Sequence, residues 1–188
     1  PARHFRARDH LASRKTMSDV QQDQGQAQPQ TPPLMVNAQY IKDLSFEVPN
    51  APEVFSTLKA QPNVNINLDV QARRLQDGQD VFEVTLQIKA EAMEAPAAPN
   101  GNANGSAANG KPVFIAELAF CGVFTLNGIP AESIEPILLV ECPRLLFPYA
   151  RNILADVTRD GGFPPVLLQP IDFVALWQSR RAQQTADA

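Results

Sequence analysis

The chain has 188 residues, enough for one domain of ordinary size with tails, and a formal net charge of −4. Arg3, Arg6, Arg8, Arg14 and Lys15 against Asp9 put +4 on residues 1–16, which leaves −8 for residues 17–188. So acidic a body argues against nucleic acid and for a basic protein surface as partner; two cysteines exclude a disulfide framework, and no apolar run approaches the ~20 residues of a membrane span.

The basic start lacks the apolar segment of a secretory signal. Met17 offers a start, so residues 1–16 are expected to lie upstream of the natural one, and the protein is read as cytoplasmic. Residues 17–36 are rich in Gln and Pro and bury too little apolar surface to order themselves, so residues 1–36 are expected to be a disordered tail. A single domain is expected over residues 37–181, with a short tail at 182–188.

In YIKDLSFEV, alternation places Tyr40, Lys42, Leu44, Phe46 and Val48 on one side of a strand and Ile41, Asp43, Ser45 and Glu47 on the other. Val64, Ile66, Leu68, Val70 and Ala72 alternate with polar residues in a second strand. Phe82, Val84, Leu86, Ile88 and Ala90 do so in a third, after a turn at Asp77-Gly78. This pattern predicts an antiparallel sheet with one covered and one wet face. Residues 91–111 read as a flexible Ala/Asn/Gly insertion leading to a fourth strand, VFIAELAFCGVFTL, that is apolar on both sides.

Asn127-Gly128 turns the chain into helical territory, with a short helix expected at about Ser133–Glu141. The next stretch, Cys142–Pro165, is a helix with clear ends. Pro143 suits its first turn, Gly161 and Gly162 supply a left-handed stop, and Pro164 and Pro165 prevent continuation. Leu146, Tyr149, Ala150, Ile153, Leu154 and Val157 form its apolar stripe, widened by Leu145 and Phe147, and Pro148 is expected to kink it. An extended apolar segment, VLLQPIDF, then crosses to a last helix that Asp172 can cap and that carries Phe173, Val174, Leu176 and Trp177. The order predicts an α+β fold: a four-stranded antiparallel meander packed on one side by helices.

Enzyme chemistry is poorly supported. Both histidines, His4 and His10, lie in the basic leader, so the body has no imidazole for a nucleophilic pair or a metal site. No phosphate-binding glycine loop follows a strand. Asp43 and Glu47 share a strand face, yet no pocket is evident that would split their pKa values for acid/base work. Cys121 and Cys142 read as small buried hydrophobes. The positive signal is apolar surface beyond what one helical layer can cover: Ile137–Val140, Leu145, Phe147, Val166–Leu168, Ile171, Phe173 and Trp177. Such a surplus marks an oligomer interface or a groove for apolar partners.

YIKDLSFEVPNAP, CGVFTLNGI, CPRLLFPYAR, GGFPP and PIDF, in this order over residues 37–178, resemble SecB, the protein-export chaperone family of Gram-negative bacteria. The resemblance implies a cofactor-free, metal-free homotetramer, a dimer of dimers, that enters no membrane. It would hold unfolded precursors in the cytoplasm and deliver them to the SecA motor. By position, Asp43, Glu47, Ile115 and Glu117 match residues that dock SecA, whose own basic tail carries the zinc. Phe46, Leu168, Ile171, Phe173 and Trp177 would line the client groove. Phe114, Ala116, Leu118 and Phe120 match positions bearing on quaternary structure and client binding, and Leu145, Phe147 and Tyr149 join that set from the anchor helix. Two departures stand out: the connection after the first strand, STLKAQP, lacks a tryptophan common in the family, and the 91–111 insertion is unusual. The competing readings are a SecB-like chaperone dedicated to a toxin–antitoxin pair and a small-ligand or hydrolytic α+β domain.

Overall fold

A computed structural model of the protein describes residues 32–94 and 110–186. The expectations for residues 1–31 and for the middle of the 91–111 insertion lie outside the described residues. Four strands form one antiparallel sheet: β1 (Leu34–Glu47), β2 (Asn63–Arg74), β3 (Val81–Met93) and β4 (Pro112–Leu126). A single-turn helix α1 (Val54–Thr57) lies between β1 and β2, and α2 (Ala131–Pro136), α3 (Cys142–Asp160) and α4 (Phe173–Ala186) follow β4. β1 thus starts at Leu34 rather than near Asn37, β3 continues through Glu91 to Met93, and α4 continues to Ala186 rather than ending at a tail from residue 182.

The sheet order is β1-β4-β3-β2. The expected meander runs through β2, β3 and β4, while β1 returns beside β4, with Leu34 opposite Leu126 and Glu47 opposite Ile115. Even-numbered residues of the last three strands face the helices: Val84, Leu86, Ala90, Ala116 and Phe124 have no exposed surface. The predicted alternation of β2 and β3 therefore holds.

It fails in β1. Irregularities between Val36 and Ala38 and between Ile41 and Asp43 each insert a residue and reset the alternation. Tyr40 faces Cys121 and, with Lys42, reaches the outer-face carboxylate of Glu83, whereas Leu44 and Phe46 face Leu118 and Ala116 on the helix side. Tyr40 and Lys42 therefore part from Leu44 and Phe46, and Ile41, opposite Phe120, parts from Asp43. A one-residue insertion swaps faces while leaving the apparent period intact.

α2 does not stand apart from the anchor helix. It passes through a π-helical turn, Ile137–Glu141, straight into α3, and the Cys142 N–H bonds the carbonyl of Ile137. Pro143 at the start of α3 has no N–H to continue the ladder, which favours the wider turn at this point. α3 runs through Pro148 to Asp160 and buries Leu146, Phe147, Ala150, Leu154 and Thr158 over the sheet. Each fully buried leucine contributes roughly 1.5–3 kcal/mol. Tyr149, expected in the buried stripe, is 54% exposed. The left-handed stop is Gly162 (φ 89°), not Gly161 (φ −72°). Gly161 is small for a different reason: a Cβ there would overlap the ring of Phe46. Asp172 caps α4 as expected, its Oδ1 accepting the N–H groups of Val174 (3.0 Å) and Ala175 (3.1 Å).

Candidate functional site

The outer face of the sheet is polar and acidic at one end. Asp43 lies opposite Ala119, and Glu47 opposite Ile115. Glu117 lies opposite Ser45 on β1 and Lys89 on β3. Strand register thus brings Asp43, Glu47, Ile115 and Glu117 onto one surface. It adds Glu91, opposite Ile115, which sequence reasoning had assigned to a loop. The Lys89 Nζ donates to both Glu91 (2.9 Å) and Glu117 (3.0 Å), which raises the lysine pKa. A shallow depression of about 280 Å³ lies among Asp43, Asn67, Asp69, Gln87, Lys89 and Glu117.

At the other end of that face sits Glu83, 3% exposed. Its carboxylate accepts the Tyr40 hydroxyl, the Lys42 Nζ (3.1 Å) and the Arg73 Nε (2.5 Å). The Arg73 hydrogen bond, with help from Tyr40 and Lys42, outweighs burial and holds Glu83 down at about 2; the same carboxylate pushes Tyr40 up to about 12. The Lys42 ammonium is therefore held on Glu83 although its neighbour in sequence is Asp43. Behind it, the Thr85 hydroxyl and Cys121 Sγ are 3.2 Å apart. Cys142 is also buried, and burial pushes its thiol up to about 12, far from a reactive thiolate.

On the helix side, a groove of about 550 Å³ opens between β2 and the crossing segment. Val64, Ile66, Phe114, Leu168 and Ile171 line it, with Pro62 on one wall and Pro164, Pro165 and Pro170 on the other. Thr158, fully buried in α3, pins the crossing segment: its Oγ1 accepts the Val166 N–H at 3.0 Å and donates to the Leu154 carbonyl at 2.9 Å. Beside the groove is an aromatic cluster in which Phe114 packs on Phe46 (5.5 Å between centroids) and on Phe163 (5.0 Å). Phe55, 53% exposed, stacks on Phe163 at 5.2 Å, so an aromatic side chain does occupy the connection after β1.

Of the residues expected in the groove, Leu168 and Ile171 line it. Phe46 lies in the adjoining cluster, and Phe173 is 1% exposed, packed edge-on against Phe147 in the core. Trp177 donates its Nε1–H to Glu135 (3.0 Å) beneath the Arg181 guanidinium, away from the groove lining. Val64, Ile66 and the three prolines of the opposing wall were missed; the clue was an alternating strand followed much later by a proline-rich crossing.

Ala116, Leu118 and Phe120 of β4 are buried in the core that the sheet shares with the chain's own helices, and Phe147 of α3 is buried in it from the helix side. Leu145 (42%) and Tyr149 (54%) remain exposed, and Tyr149 stacks over Phe120, whose register neighbour is Ile41. Val36, Ile41 and Leu44, also exposed, extend this apolar strip along β1, which has a strand on one side only. Among the described residues, no helix is long and apolar enough to cross a membrane, and no three His, Cys, Asp or Glu side chains are grouped as metal ligands would be.

A family model described as preprotein translocase subunit SecB matches residues 27–184. The protein-export protein SecB of Granulibacter bethesdensis is 65% identical over 153 residues, 81% of this chain and 85% of the relative. That of Acidiphilium cryptum is 62% identical over 160 residues, 84% and 95% of the two chains. Among solved structures, a SecB-like chaperone of Mycobacterium tuberculosis in complex with an antitoxin peptide superposes with a TM-score of 0.55 at 14% identity, over 73% of this chain and 90% of that one. The last likeness shows a shared fold alone.

Proposed function

This chain belongs to the SecB family of protein-export chaperones, and from that premise we propose that its groove holds unfolded precursors while its acidic outer face docks SecA. The carrying observation is the separation of the two chemistries on one sheet. Asp43, Glu47, Ile115 and Glu117 share the outer face, and the apolar groove lies by β2 on the helix side. A client can therefore stay bound while the acidic face engages a basic partner in the cytoplasm. Apolar burial and backbone pairing give affinity without reading a sequence, and repeated weak sites in an oligomer add avidity.

We assign the apolar strip of Val36, Ile41, Leu44, Leu145 and Tyr149 to self-association in a homotetramer. Support comes from the open side of β1, a strand edge that a second copy can extend. The export reading is preferred to the toxin–antitoxin one because the relatives from Granulibacter bethesdensis and Acidiphilium cryptum, 65% and 62% identical over the matched stretch, are protein-export proteins.

The test combines light scattering, suppression of aggregation of an unfolded precursor, and calorimetric titration with SecA. A species near four chains, active on the precursor, is expected. Asp43→Ala with Glu47→Ala should weaken SecA binding by about tenfold or more and flatten its salt dependence, leaving aggregation suppression intact. A monomer indifferent to unfolded polypeptide refutes the proposal.

A further inference from the structure

β2 is the other edge of the sheet, and its exposed backbone is not uniformly free. Arg180, on α4, reaches around it. One guanidinium nitrogen donates to the Val70 carbonyl at 3.0 Å, and the other approaches the Leu68 carbonyl at 3.4 Å and pairs with the Asp69 carboxylate. Leu68 and Val70 therefore turn their carbonyls away from β3, and strand alternation turns the backbone groups of Val64 and Ile66 the same way. At Val64 and Ile66 the edge borders the groove. Across the groove stand Pro164, Pro165 and Pro170, which have no N–H to offer a strand. Among the described residues no backbone hydrogen bond joins the crossing segment to β2, and the Val166 N–H is already taken by Thr158, while α4 blocks the part of the edge beyond Ile66.

We propose that Arg180 determines how long a stretch of client can pair with β2. The occupant is an extended segment of an unfolded polypeptide added as a fifth strand along Val64 and Ile66, its inward side chains entering the apolar groove. This rests on the groove being the client site. The fit comes from three features together: outward backbone groups at the edge, exposed apolar side chains on the groove side (Val64 36%, Ile66 40%), and an opposing wall that does not compete. Where Arg180 takes the carbonyls, an incoming strand loses its acceptors, so pairing stops. The Asp69 pair anchors the guanidinium on the far side of the edge and holds the block in place.

The test uses the full chain and a series of short and long peptides of alternating valine and threonine, with per-residue amide exchange followed by NMR. In the wild-type protein, short and long peptides should bind with similar affinity and protect the Val64 and Ile66 amides but not those of Leu68 and Val70. In Arg180→Ala, protection should extend to Leu68 and Val70, and long peptides alone should bind about tenfold more tightly, as added backbone hydrogen bonds require. Asp69→Asn should give the same change in weaker form without altering α4's own packing residues. Long peptides protecting Val70 in the wild type, or variants that leave the length dependence unchanged, overturn the role of Arg180 while the groove stands. Peptides that protect neither Val64 nor Ile66 overturn the groove as well. Protection of both amides without any peptide gives the edge to a second copy of the chain and overturns the proposal.

Discussion

Glu83→Gln should destabilise the protein, and the loss should depend on pH. The carboxylate ties together Tyr40 and Lys42 of β1 and Arg73 of β2 from its own place on β3. Lowering its pKa from 4.5 to about 2 corresponds to roughly 3 kcal/mol of preferential stabilisation of the charged form. Lys42 and Arg73 are 47% and 62% exposed, so solvent screening reduces this to about 1.5–3 kcal/mol. The folded pKa lies below the unfolded one. The stabilisation is therefore complete above pH 4.5, declines as the pH falls, and is lost below about 2. Glutamine can still accept from Tyr40, but its amide presents a donor to Arg73 or Lys42, and a buried mismatch of this kind costs about 1–3 kcal/mol. Urea unfolding of both proteins at equal concentration, from neutral pH into the acid range, reads the effect. The gap should be about 2–3 kcal/mol near neutrality and narrow toward pH 2. A variant as stable as the parent at neutral pH, or a gap that does not change with pH, refutes the reasoning.

Tyr40 gives the alkaline counterpart. Its phenol pKa is raised to about 12 by the hydrogen bond to Glu83, so stability should be lost as pH rises beyond 10 toward that value; ultraviolet phenolate titration should show a late tyrosine that Tyr40→Phe removes. Thr158→Val keeps shape but leaves the Val166 N–H without its acceptor, at a cost of about 1–3 kcal/mol. Calorimetric unfolding should show that loss, and amide exchange at Val166 should quicken. Gly161→Ala places a methyl group in the Phe46 ring and should cost about 1–3 kcal/mol in urea unfolding, and Phe46→Leu in the same chain should recover part of it, a non-additivity expected of touching residues.

Much of the fold was legible because β2 and β3 alternate cleanly and the anchor helix has chemical stops at Pro143 and Gly162. β1 was misread because its inserted residues preserve the look of alternation. Lys42 turns outward onto Glu83, a partner more than forty positions away in sequence that no local pattern announces. The acidic surface survived the error, since Asp43 and Glu47 fall on the outer face in either phase. The groove was only partly visible. Phe173 and Trp177 are apolar at helical spacing, and spacing cannot say that one is core and the other is held by Glu135. Nor does the Arg180-Arg181 pair announce that one guanidinium ends at a strand's carbonyls and the other over Trp177.

The position of β1 beside β4 sets an order of events during synthesis. Leu34 is made early, yet its partner Leu126 is more than ninety residues further along, and the hairpins of β2, β3 and β4 can close first. On the ribosome, β1 must wait until β4 has emerged. The strand bearing most of the proposed contact strip is thus the last to find its seat, so nascent copies have little to recognise in one another until the sheet of each is finished.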